Sequence, residues 1–149
     1  MERLTRFLRR PAPDRVLLIQ ATLLLLAIRV GLATVRFATL RNGLSKLCSG
    51  VEARQPATAN DVDKDRVIWA VEAIGRRIPS VGTCLTQALA AYVLLGRRGH
   101  HSNLRIGVTR DPKGTFVAHA WLEKDGTVLI GGDWSDKYTP MPALNGLEP

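Results

Sequence analysis

The spacing of apolar and polar positions divides this chain in two. Up to residue 95 apolar side chains recur every three or four positions, the period of a helix; beyond residue 104 they alternate, the period of a strand. In the first 10 residues Leu4, Phe7 and Leu8 share one helical face among arginines, and Pro11-Ala12-Pro13 breaks the segment. Asp14 is placed to cap a helix that begins with the almost uninterrupted apolar run 15–29. Residues 30–48 continue the helical pattern, with Arg36, Arg41 and Lys46 on the polar side and Asn42-Gly43 as its break. The stretch 49–60, rich in Ala, Pro, Thr and Gly, reads as a loop and as the internal boundary.

Asp61, Asp63 and Asp65 then put negative charge at the start of a helix reaching residue 77, where the helix dipole favours it. Val67, Ile68, Val71 and Ile74 form its buried stripe, and Pro79-Ser80-Val81-Gly82 turns the chain. Thr83 can cap the next helix, 84–95, which is apolar almost all round and so belongs at the centre of the fold. Three strands follow, at 104–109, 116–123 and 127–130, with a turn at 111–114 and a hairpin tip at 124–126. The predicted class is α+β: a central helix packed on a small antiparallel sheet, with an N-terminal helical extension. The predicted division is a basic, Leu-rich helical region over 1–54 and a second unit over 61–149.

Composition supports one sizeable core, since 46% of the 149 residues are hydrophobic. The net charge of +8 is uneven. Residues 1–54 hold ten Lys/Arg against three Asp/Glu, whereas residues 55–149 hold eleven against ten. A basic face attracts anionic lipid, an acidic polypeptide or nucleic acid. Nucleic acid is set aside, because basic and aromatic residues are not interleaved and aromatics make up only 5%. The uncharged run 16–28 is 13 residues long, short of the roughly 20 a spanning helix needs, so a buried or partner-facing helix is expected. Two cysteines 36 positions apart make neither a disulfide framework nor a zinc site, and no secretory signal pattern is read. The expected setting is the reducing cytoplasm, with peripheral contact to a membrane surface compatible with the basic helices.

Two residues change the picture from a fold to a chemistry. Cys84 opens the central helix, where unpaired N–H groups favour a thiolate, and His119 lies 35 residues on, between two alanines on an apolar strand. A thiol and an imidazole make a nucleophile and base when the fold brings them together. Cys48, late in a helical stretch, has no such context and reads as structural. A carboxylate is available across the hairpin. Centring the turn on Asp125 sets Gly131 against His119 and Asp133 one diagonal further along the same face. A two-residue Asp125-Gly126 turn instead sends Asp133 to the other face, unless Gly131-Gly132 bulges. Asp125 is explained as a turn residue, and Asp136 lies beyond Trp134 in a loop.

The segments PSVGTCLTQALA, LLGRRG, LRIGV, AHAWLE and GGD, in this order and at this spacing, resemble the transglutaminase-like B2 proteins of lasso peptide biosynthesis. The resemblance is strongest over residues 64–134 and looser through the Leu-rich N-terminal helices. It implies a transglutaminase-like or papain-like core and a cysteine endopeptidase that removes the leader from a ribosomally made precursor. It further implies a Cys84, His119, Asp133 triad, with Thr83 and Trp121 as supporting or oxyanion residues, and no cofactor or metal. The preceding helices do not read as a recognition domain, so the resemblance is to the split form. That form works with a separate leader-recognition protein (B1) and an ATP-dependent macrolactam cyclase. The alternatives are an acyl transferase or amidase using the same residues, and a non-catalytic scaffold of the same fold.

Overall fold

The computed structural model describes residues 11–52, 61–132 and 137–141. Among these residues four helices and four strands follow in order: α1 (Ala12–Thr34), α2 (Phe37–Glu52), α3 (Asp61–Arg77), α4 (Cys84–Gly96), β1 (Asn103–Arg110), β2 (Phe116–Lys124), β3 (Thr127–Ile130) and β4 (Thr139–Pro140). The segment 1–10, expected to be an amphipathic start, lies outside the described residues, as does 53–60 of the loop expected over 49–60; residues 49–52, expected in that loop, instead continue α2.

The all-apolar pattern of α4 places it at the centre. Ala88, Leu89, Ala90, Ala91, Val93, Leu94 and Leu95 are buried, and the helix packs on α1, α2, α3 and the sheet. The α3 stripe, with Val67 and Val71, closes on it from one side. The buried face of α1 (Leu17, Leu18, Ala21, Leu25 and Ile28) joins the same hydrophobic cluster. The N-terminal helices and the cysteine-bearing helix therefore share one core.

Two further helix boundaries differ from expectation. Asp14 is not the cap of α1: Pro11 holds that position, Pro13 sits in the first turn with its φ already suited to a helix, and the Asp14 carboxylate pairs with Arg66 of α3. The break expected at Asn42-Gly43 falls instead at Val35, whose extended backbone separates α1 from α2. This earlier break lets Phe37, Leu40 and Leu44 turn back onto the core, with Leu40 against Gly31.

The sheet has the order β3-β2-β1-β4, and every pairing is antiparallel. Leu104, Ala120 and Leu122 project from β1 and β2 into the core. Strand β4, which the pattern did not signal, is two residues long and places Pro140 at the sheet edge, where a missing N–H costs little. The hairpin register also corrects the expectation centred on Asp125. Asp125 and Gly126 both take positive φ, 50° and 77°, so the tip is a two-residue turn with Lys124 opposite Thr127. A bulge then intervenes, and Leu122 pairs with Ile130. The extra residue, Leu129, lies two positions before Gly131, whose Cα packs against Trp121.

Candidate active site

The site is built where α4 begins. Cys84 is the first residue of that helix and is half-buried. Thr83 is the N-cap: its backbone is extended, its hydroxyl accepts from the Thr86 N–H at 3.4 Å, and the two threonine hydroxyls lie 2.7 Å apart. Thr83 thus fixes where the helix starts.

The turn ahead of Cys84 is pinned from three directions. The Gln87 side-chain amide donates to the Gly82 carbonyl at 2.6 Å. Arg29 of α1 donates through Nε to the Ser80 carbonyl at 3.0 Å. Gly82 lies directly on the α3 backbone, where a Cβ would come within 2.4 Å of the Gly75 Cα and carbonyl oxygen. Only a residue without a side chain allows that approach.

His119 stands on β2 and points its Nε2 at the Gly131 carbonyl, 2.6 Å away. A carbonyl only accepts, so Nε2 carries the hydrogen and Nδ1 of the neutral ring is left as the basic atom. The ring has two aromatic neighbours: Trp121, stacked at 6.3 Å between centroids, and Tyr138, tilted at 5.2 Å. Strand β3 stops at Ile130, and Gly131 and Gly132 take left-handed φ.

Cys84 and His119 line one cleft of about 250 Å³, together with Gln87, Ile130, Gly131, Gly132 and the pair Glu72 and Arg76 of α3. Arg76 and Glu72 form an ion pair at 3.2 Å on successive helical turns, so this wall of the cleft is polar but locally neutral. A larger depression of about 470 Å³ surrounds the Asp14–Arg66 pair and has no thiol, hydroxyl or imidazole among its lining residues. The smaller cleft is therefore the candidate. Among the described residues, no group of three or more His, Cys, Asp or Glu is arranged to hold a metal ion.

The sequence-derived site residues fare differently. Cys84 and His119 share the cleft. Trp121 is buried, and its indole N–H is directed to Glu123 Oε2 at 3.4 Å, so its single donor faces away from the role of oxyanion donor. Asp125 occupies the hairpin tip. Asp133 and Asp136 lie outside the described residues, as does the Cys48 side chain. Sequence reasoning missed Gln87, Glu72, Arg76 and Tyr138. Gln87 had a signal, because it lies three residues after Cys84 and so on the same side of α4. Tyr138 had none, since it reaches His119 from an irregular tail.

The arrangement defines a class. A thiol at a helix start and an imidazole on an adjacent strand, facing one cleft, are the parts of a cysteine-dependent acyl-transfer site. The chain belongs to the transglutaminase-like superfamily, whose family model matches residues 22–143. That superfamily includes cysteine proteases and acyltransferases. No curated protein and no solved structure matched the chain. The family match begins within α1, in keeping with the core that α1 shares with α4.

Proposed function

We propose that this chain is a cysteine endopeptidase that removes the leader from a lasso peptide precursor. The observation that carries the catalytic part is the cleft shared by Cys84 and His119, with His119 Nε2 held by the Gly131 carbonyl. The substrate rests on the run of motifs from PSVGTCLTQALA to GGD that resembles the B2 proteins.

In this reading Nδ1 of His119 takes the Cys84 thiol proton, and the thiolate attacks the carbonyl at the leader–core junction. The Cys84 N–H, one of the first-turn amides a helix leaves unpaired, donates to the oxyanion. The imidazolium then gives its proton to the departing core amine, leaving the leader as a thioester on Cys84. Water, deprotonated by His119, hydrolyses that thioester and frees the thiol. The Gly131 carbonyl holds the ring throughout and stabilises the imidazolium through Nε2–H. Asp133 is proposed as a further orienting carboxylate, on the strength of the GGD motif in which it follows Gly131 and Gly132. The proposed partners are a separate leader-recognition protein and the macrolactam cyclase, and the proposed setting is the cytoplasm.

The test incubates the chain with precursor and recognition protein and reads the products by mass spectrometry. Free leader and free core are expected. A leader joined to another amine would instead make this an acyl transferase, and an unchanged precursor would favour a binding scaffold.

A further inference from the structure

Among the described residues, one face of α1 has no partner. Val16, Ile19, Leu23, Leu26 and Val30 are each 41–62% exposed. Their spacing of three, four, three and four sets all five along one side of the helix, opposite the core-facing Leu17, Leu18, Ala21, Leu25 and Ile28. By length and composition α1 is apolar enough to cross a bilayer, yet only 28% of its most apolar window is buried. The core helix of a globular domain would be mostly buried. A spanning helix could not keep its other face packed on α3 and α4, as α1 does.

Charge decides what covers the stripe. Asp14 is the sole acid of α1, and Arg66 engages it. Arg15 and Arg29 each precede a stripe residue and so share one flank, and residues 1–54 carry ten Lys/Arg against three Asp/Glu. A second copy laid antiparallel along the stripe would set Arg15 near its Arg29, a like-charge contact. A surface both apolar and anionic meets every one of these features.

We infer that α1 docks this protein in the plane of an anionic membrane, with the stripe from Val16 to Val30 sunk into the headgroup boundary. Arg15, at the start of the stripe, faces lipid phosphates, while the opposite face of α1 stays in the core shared with α4. Anionic headgroups attract the basic segment and the stripe supplies the apolar contact; a lone basic patch or a lone apolar face binds far more weakly. The inference stands apart from the catalytic reading, because vesicle binding needs no substrate.

The experiment sediments the full chain with vesicles of phosphatidylcholine alone and of phosphatidylcholine mixed with phosphatidylglycerol. Binding is expected to the mixed vesicles only and to weaken with added salt. The combined variant Ile19→Gln, Leu23→Gln, Leu26→Gln should lower partitioning about tenfold or more. Its thermal unfolding should match the wild type, since the three side chains leave the core untouched. Three results would overturn the inference. They are no sedimentation with mixed vesicles, equal binding to both vesicle types, and binding that the triple variant leaves intact. A wild-type dimer in solution that the triple variant converts to monomer would reassign the stripe to a seam between copies.

Discussion

Helices α1 and α4 draw on almost the same residues, chiefly Leu and Ala, and the fold uses them in opposite ways. In α4 the apolar positions run all round, and helices and sheet cover every side. In α1 one side is buried and the other is equally apolar and open. The polar groups differ too. Those near α4 gather at its N-terminus and are committed: Thr83 caps it, Gln87 holds the turn, and Cys84 opens the cleft. Those of α1 are spread along its length: Asp14 pairs with Arg66, Gln20 accepts from Arg98 and Arg29 donates to the Ser80 carbonyl. Hydrophobicity alone does not say where a helix belongs. What the neighbouring elements cover, and which charges border the remainder, decides whether an apolar face is core or contact surface.

The largest expected effect is on the chemistry that α4 presents. His119→Ala should lower cleavage roughly 10²–10⁴-fold in an assay with precursor and recognition protein, with thermal unfolding close to wild type. A smaller loss would mean that His119 is not the base.

The contrast between the helices is tested next by paired truncations. Leu89→Ala, at a fully buried α4 position, should cost about 2–5 kcal/mol in chemical denaturation. Leu23→Ala, on the open face of α1, should stay within about 0.5 kcal/mol of wild type. Similar losses at both sites would show that the α1 stripe is covered.

Gly82→Ala probes the floor beneath Cys84. Its Cβ would meet the Gly75 backbone at 2.4 Å, so the turn must move, at a cost of about 1–3 kcal/mol and with a loss of cleavage rate. Thr83→Ala should cost about 1 kcal/mol through the lost cap and lower the cleavage rate less than Gly82→Ala does.

The smallest effect is one of pH. His100 is buried, and neither ring nitrogen has a hydrogen-bond partner among the described residues. Burial holds its pKa below the ordinary 6.5, with Lys124 and Lys64 adding to the shift. The unfolded chain therefore binds the proton more readily, so stability is complete above pH 6.5 and declines as pH falls below it. In His100→Gln this part of the slope should vanish, as denaturation midpoints across the acid range would show.

Much of this organisation was legible in the chain. The period of α4 marked it as central, Thr83 and the turn before it marked where it starts, and alternation marked β1 to β3. The mistaken points share a physical origin, which is competition between local signals that tertiary packing settles. Asn42-Gly43 is a plausible break, but the core needed Phe37, Leu40 and Leu44, so the chain broke at Val35. The hairpin register hinged on one bulged residue, which leaves no mark in the pattern of a four-residue strand. The cleft walls from α3 were invisible because an i, i+4 Glu–Arg pair reads as an ordinary solvated face. The Gly131 carbonyl could not be found at all, since a backbone acceptor has no residue type to announce it.

The account turns on Cys84 as the nucleophile. Its most direct test is the cleavage rate of Cys84→Ala against wild type, with precursor and recognition protein both present and folding checked by thermal unfolding. The account predicts a folded protein with no detectable release of leader or core. Release at the wild-type rate would contradict it.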